Sequence, residues 1–272
     1  MFRPLAAFIG LRYSASKRRN GFIAFISASS TIGIALGVMV LIIGLSAMNG
    51  FEHELKNRIL SVVPNGELEA VDDAIPQWRD RLELVKQHEQ ITSAAPYIKI
   101  NGLIQKNTQL KALQIRAVDA VAERNVSSVA EYVNQGTWDS LSTAKNNLVI
   151  GRGIAKELDV GIGDRVTVLV SQPNKQAFKA PQRFAFTVTG IIALSGQLDN
   201  SLAYMPLATA QRLQKRADTV DGISVKVTDL FNANRIVGEA GRLVNHYVYV
   251  RSWMTTQGYF YQDIQMVKSL MY

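Results

Sequence analysis

With 272 residues and no cysteine, the chain excludes a disulfide framework, thiol catalysis and cysteine-based metal sites. Its formal charge of +8 invites a nucleic-acid reading, but five of those charges precede residue 20. Only about three remain over the rest, mixed with acids throughout, so the basic balance is mainly a signal of membrane topology.

Residues 1–20 carry Phe2, Leu5, Phe8, Ile9, Leu11 and Tyr13 around Arg3 and Arg12. Too short to span a bilayer, they predict a cytoplasmic interfacial segment with its apolar side in lipid and its arginines toward anionic headgroups. A disordered tail is the alternative. Gly21 marks the bend into the next element.

Residues 20–51 contain no Asp, Glu, Lys, Arg or His. A hydrocarbon core about 30 Å thick needs about 20 apolar residues in a helix, and in lipid each backbone N–H and C=O needs a partner within the segment. The reading is a transmembrane helix with an outward extension over residues 21–63. Arg3, Arg12, Lys17, Arg18 and Arg19 precede it, whereas Glu52, His53, Glu54 and Lys56 follow. A Lys/Arg cluster stays cytoplasmic, which puts the amino terminus inside and everything after about residue 52 outside. A cleaved signal peptide is the rival, but its apolar core would be shorter, and the best cleavage point, after Ala47, has Leu45 where a small residue is wanted.

Within the span, Ser29, Gly33 and Gly37 recur every four residues and Gly44 continues near that face. Small side chains let helix backbones approach closely, so this stripe predicts helix packing with a partner whose identity is left open. The apolar spacing runs on through Phe51, Leu55 and Ile59 until Pro64 and Gly66 break it. Met48, Phe51 and Leu55 share a face at the outer boundary. On pattern alone that face reads first as packing against the outer domain or a neighbouring helix, and second as a grip for an acyl chain.

Beyond Gly66 the expected class is α+β. Residues 67–71 alternate as a strand, Trp78, Leu82 and Val85 line one side of a helix, and residues 91–104 are extended. The same order returns late in the chain. Ile223, Val225 and Val227 alternate with polar residues, Ile236, Val237, Ala240 and Leu243 form a helical face capped by Thr228 or Asp229, and residues 247–250 are extended. Two such units predict a split β-α-β sandwich over residues 64–113 and 219–258. Residues 114–218 would be an inserted lobe. That lobe reads as strand (Leu148-Val149-Ile150), short helix, glycine turn (Gly161-Ile162-Gly163-Asp164) and strand (165–170). Gly151-Arg152-Gly153 lacks a complete phosphate-loop pattern and reads as a turn. Residues 171–183, framed by Pro173 and Pro181, form an exposed connector of a kind that also serves as a contact surface. In residues 259–272, Phe260, Ile264, Val267, Leu270 and Met271 begin an apolar helical face, read as the start of a second span.

Catalytic patterns are absent. His53, His88 and His246 lack carboxylates at ligand spacing. Gly44-Leu45-Ser46 is no nucleophile elbow and lies in the apolar helix. The reading is not an enzyme, with no cofactor and no metal.

Several stretches resemble one family. Ile9-Gly10-Leu11-Arg12-Tyr13, Ser30-Thr31-Ile32-Gly33-Ile34-Ala35-Leu36-Gly37 and Leu45-Ser46-Ala47-Met48-Asn49-Gly50-Phe51 with Glu54-Leu55 are similar to the opening of the lipoprotein-releasing membrane subunits (LolC/LolE), in the MacB-like class of ABC transporter permeases. Leu194-Ser195-Gly196-Gln197-Leu198-Asp199, Asp229-Leu230-Phe231-Asn232-Ala233-Asn234, Ser252-Trp253 and Asp263-Ile264-Gln265-Met266 resemble the LolE-like branch. The resemblance implies a bacterial inner-membrane permease subunit that extracts outer-membrane-destined lipoproteins and releases them to a periplasmic carrier. It implies Porter-like and Sabre-like subdomains for the sandwich and the insertion, a LolC-like sister subunit, and a cytoplasmic ATPase pair. Carrier contact would lie mainly on the sister subunit. Acyl chains would bind beside the first helix, at Ile43, Ala47, Met48, Phe51 and Leu55. Members carry three further spans after the outer domain, with the ATPase-contacting segment among them, so the chain reads as stopping before its second span. Two alternatives remain: a MacB-like permease for another process, and a signal-anchored periplasmic scaffold protein.

Overall fold

The computed structural model describes residues 8–10, 12, 21–54, 62–71, 74–143, 145–170, 181–194, 197–216 and 218–256. Residues 8–10 and 12 of the expected interfacial segment are helical. The rest of that segment, the helix extension at 55–60, most of the connector at 171–183 and the apolar stretch at 259–272 lie outside the described residues. The chain forms two compact units, Met1–Lys56 and Asn57–Tyr272.

The first unit is built on α1, Gly21–Glu54. Its 34 residues, at ~1.5 Å rise each, give a rod of about 50 Å. Phe25–Ala47 has a mean hydropathy of 2.2, none of it is buried within the chain, and it is long and apolar enough to cross a membrane. The Thr31 hydroxyl donates to the Ser27 carbonyl at 2.8 Å, so this polar side chain is satisfied inside its own helix.

Alongside a separate two-stranded pair of β2 (Ile75–Pro76) and β10 (Thr219–Val220), the second unit is organised by one ten-stranded sheet. Its first half comprises β1 (Gly66–Ala70), β11 (Gly222–Val227), β12 (Val248–Ser252) and the 16-residue β3 (Ile91–Lys106), in the order β12-β1-β11-β3. Each adjacent pair is antiparallel, so β1 and β3 run the same way with β11 inserted between them. This is the split arrangement expected from the two β-α-β repeats. Helices α2 (Trp78–Lys86) and α6 (Ala233–Leu243) cover one face. Trp78, Leu82 and Val85 from α2, and Ile236, Val237 and Ala240 from α6, meet Leu68, Ile98, Ile223 and Val225 of the sheet.

The sheet continues through β4 (Gln109–Val118) into β9 (Leu202–Pro206), β6 (Asn147–Gly151), β8 (Gln182–Ile192) and β5 (Val133–Gly136), while β7 (Arg165–Val170) pairs with both β3 and β8. The boundary drawn at 113/114 therefore falls inside one unbroken strand. Helices α4 (Arg152–Glu157) and α5 (Leu207–Gln214) add Ile154, Ala155, Leu207 and Ala210 to the same buried cluster. At the β6–α4 junction a Cβ on Gly151 would stand 2.8 Å from the Asp199 carbonyl carbon, and one on Gly153 2.9 Å from the Asn200 side chain. The two glycines thus admit the turn at Gln197–Asn200 rather than a phosphate.

Ser224, a polar alternate of β11, is buried because a second layer covers that face, and two local expectations are corrected. Leu243 is exposed and Val244 takes its place in the core, because α6 ends there. Neither Thr228 nor Asp229 caps α6. Asp229 accepts from the Phe231 N–H at 2.9 Å and the Asn232 side chain at 2.6 Å, closing its own turn, and the helix starts at Ala233.

On the opposite face lies a smaller cluster of Tyr97, Val118, Ala120, Trp138, Leu141, Val149 and Tyr204. It is closed by α3 (Ala120–Val126), whose cap Asp119 accepts from the Val121 and Ala122 N–H groups, both at 3.0 Å. Asp119→Ala is expected to lower stability by about 1 kcal/mol, read as a reduced urea midpoint with unchanged slope.

Candidate functional site

Helix α1 carries its small-residue stripe on one side. At ~100° per residue, Ser29, Gly33, Gly37 and Gly44 fall within an arc of about 80°, interrupted by Val40. Ala47 and Phe51 project onto the same arc one to two turns farther out, with Ile43 and Met48 at its margins. Leu55 lies outside the described residues. A Cβ added at Gly33 or Gly37 meets nothing within 4 Å, and Ile43 is 60% exposed. This face is therefore narrow through the middle of the apolar stretch.

A second site lies on the sheet, and sequence patterning missed it. Lys99 and Arg116 are direct cross-strand neighbours on β3 and β4. Like charges so placed repel, and carboxylates from β1 reconcile them. Glu67 accepts from Arg116 at 2.7 Å and from Lys99 at 2.8 Å, while Glu69 accepts from Lys99 at 3.2 Å and pairs with Arg251 at 3.4 Å. Beside these groups β11, which lies between β1 and β3, places Gly222 and Ser224 on this face, which leaves a trough where β1 and β4 side chains meet. Ser224 hydrogen-bonds Arg116, and a Cβ on Gly222 would stand 2.5 Å from the Tyr97 ring. The guanidinium lies 4.0 Å from the centre of that ring.

Burial pushes the Glu67 carboxyl up, but Arg116 and Lys99 outweigh it and hold the group at about 2. Glu123 on α3 is the reverse case: burial raises its carboxyl, and Arg116, 4.0 Å away, only partly offsets this. Burial likewise raises Asp221, although it pairs with Arg216 at 2.9 Å and accepts from the Lys99 N–H at 2.8 Å. A cavity of about 380 Å³ opens beside the cluster, lined by Glu69, Lys99, Asn101, Gln114, Asp221 and Arg251. Its charged groups already satisfy one another, so the arrangement locks strands together rather than presenting a reactive group. The available signal was a lone arginine in the apolar run Ile115-Arg116-Ala117-Val118. Among the described residues, no cluster of three His, Asp or Glu is arranged for a metal ion.

Residues 27–243 match the MacB-like periplasmic core domain, most of the chain. The chain belongs to the MacB-like periplasmic core domain family. Within it, this MacB-like chain is 40% identical over 97% of its length to the lipoprotein-releasing system transmembrane protein LolE of Haemophilus influenzae. It is 32% identical over 98% of its length to the corresponding LolC protein of Neisseria meningitidis serogroup B. It spans 65% of the length of each of these relatives. The periplasmic region of MacB from Actinobacillus actinomycetemcomitans aligns at a TM-score of 0.49 and 14% identity, over 76% of this chain and 97% of that one. The MacB-like architecture here is one apolar amino-terminal helix followed by a mixed α/β region.

Proposed function

We propose that this chain is the anchored, substrate-receiving part of a LolE-like permease subunit, which extracts outer-membrane-destined lipoproteins from the bacterial inner membrane. The observation that carries this reading is 40% identity over nearly the whole chain to a protein named for lipoprotein release. The membrane helix of that reading is an apolar rod with its sides uncovered. In this reading the amino terminus is cytoplasmic, residues after about 52 are periplasmic, and residues 64–113 with 219–258 form a Porter-like subdomain around a Sabre-like insertion at 114–218. Ser29, Gly33, Gly37 and Gly44 bring a LolC-like sister helix close at mid-membrane. Above that approach, Ile43, Ala47, Met48, Phe51 and Leu55 hold the two helices apart and line an apolar slot for acyl chains. Burial is worth ~0.8 kcal/mol per CH₂, so withdrawing several chains from lipid needs external work, supplied by a cytoplasmic ATPase pair rather than by this chain. The cargo passes to a periplasmic carrier docked mainly on the sister subunit.

The test is photo-crosslinking in membranes holding the full-length protein and its partners. Photoreactive side chains at Met48 or Phe51 are expected to capture a lipidated protein. Ile42, about 180° from Phe51 around the helix, is expected to capture lipid or a neighbouring helix instead. Absence of any lipoprotein adduct from both outer positions, with the complex intact, would count against the reading.

A further inference from the structure

The two ends of the large sheet are finished differently. At one end, β5 is short, its pairing with β8 shifts register between Val133 and Gln135, and it closes on Gly136 at φ 76°. Such irregularity blunts an edge. At the other end β12, Val-Tyr-Val-Arg-Ser, is regular along its whole pairing with β1 and contains no proline, glycine or lysine. No strand among the described residues pairs with its outer side.

Which backbone groups face outward follows from the ladder. The Val71 N–H donates to the Tyr247 carbonyl at 3.1 Å, and the Trp253 N–H donates to the Asn65 carbonyl at 3.1 Å. Residues 247, 249, 251 and 253 therefore turn their backbone groups toward β1, and Val248 and Val250 turn theirs away from it. The Ser252 N–H is taken by the Thr255 hydroxyl at 2.9 Å. The side chains alternate the other way. Val248 and Val250 pack toward the core cluster, while Tyr247 (81% exposed), Tyr249 (54% exposed) and Arg251 stand on the open face.

We propose that β12 is a self-pairing edge that joins antiparallel to β12 of a second copy of this chain. The register is dictated by the outward groups. Val248 lies opposite Val250 of the second copy, and each of these pairs exchanges both of its backbone hydrogen bonds. Tyr249 then faces Tyr249 of the second copy on the two-fold axis, and Tyr247 faces Arg251. In that register like charges are never opposed: each arginine meets an aromatic face, and valine meets valine on the other side. The strand is thus complementary to itself, as an isologous contact requires. A five-residue edge falls short of the ~1,000 Å² of a stable soluble interface. The pairing belongs to chains concentrated in one membrane, where local concentration makes up the difference. It is independent of the proposed transport role.

The test exploits the absence of cysteine. Tyr249→Cys places two thiols in a non-hydrogen-bonded pair with Cα atoms about 4.5 Å apart, within disulfide range. Oxidation of the full-length variant in membranes is expected to give a band at twice the chain mass. Co-expressed Tyr247→Cys and Arg251→Cys chains are expected to link to each other more than to themselves. Gln135→Cys on β5 is expected to remain monomeric. Adding Val250→Pro to Tyr249→Cys removes an outward N–H at an edge position that tolerates proline. It is expected to abolish the dimer while leaving the intrinsic tryptophan fluorescence unchanged. A Tyr249→Cys chain that stays monomeric, links only to a different protein, or links no better than Gln135→Cys overturns the proposal.

Discussion

Glu67→Gln is expected to destabilise the second unit by about 3–5 kcal/mol, the usual result of removing one partner from a buried ion pair. Glu67 is the carboxylate shared by Arg116 and Lys99, and the Arg116 side chain is only 10% exposed, so its charge cannot turn to water. The neighbouring charge at Glu69 reaches Lys99 but not Arg116 among the contacts of the cluster. Urea unfolding of the full-length protein, followed by fluorescence of the buried Trp78, Trp138 and Trp253, should show the lower midpoint. Glu123→Gln is the discriminating control. Its carboxyl is buried with Oε2 unpartnered, and burial already disfavours its ionised form. The amide should therefore leave the midpoint unchanged or raise it at neutral pH. A loss as large as that of Glu67→Gln would contradict the account.

The pH dependence has a definite sign. Glu67 titrates near 4.5 when unfolded and at about 2 when folded, so its contribution is complete above 4.5 and is lost as pH falls toward 2. At ~1.4 kcal/mol per unit this amounts to about 3 kcal/mol, and the acid limb should flatten in Glu67→Gln. Glu123 and Asp221 are raised in the fold, so they act oppositely: their contribution is present at low pH and declines as pH rises through their folded values.

Trp138→Ala is expected to cost a similar 3–5 kcal/mol, by cavity formation in the smaller cluster. The indole is 2% exposed, meets Tyr204 edge-on at 5.1 Å and 63°, and donates to the Ala120 carbonyl at 3.0 Å. It therefore holds α3 against the sheet, and α3 carries Glu123 over Arg116. Trp138→Phe keeps most of the packing and loses the hydrogen bond, so it should cost far less, about 1 kcal/mol plus a small cavity. If both substitutions lower the midpoint equally, packing is not what Trp138 supplies.

How much of this was legible differs by element, for physical reasons. The apolar rod is a local property: residues 20–51 carry no ionisable group, and helix formation in lipid follows from that alone. The repeats at the two ends were legible too, because each half-buried strand and helix writes its own period, as Trp78, Leu82 and Val85 do over α2. The small-residue stripe and the outer apolar face on α1 were read the same way. Their roles remain those proposed above.

Periodicity determined the strands and helices of the two end repeats, and composition determined which helix is fit for a membrane; β4, β5, β9, α3 and α5 were not read from it. Tertiary structure decided the order β12-β1-β11-β3, the burial of Ser224, and the meeting of Glu67, Lys99, Arg116 and Glu123. These residues lie on four different elements, and no local spacing relates them. Only sheet register brings a carboxylate of β1 across the gap left by Gly222 and Ser224 to a guanidinium of β4. That no described strand pairs with the outer side of β12 has the same origin, since a strand's sequence states which side chains alternate but not which strands lie beside it.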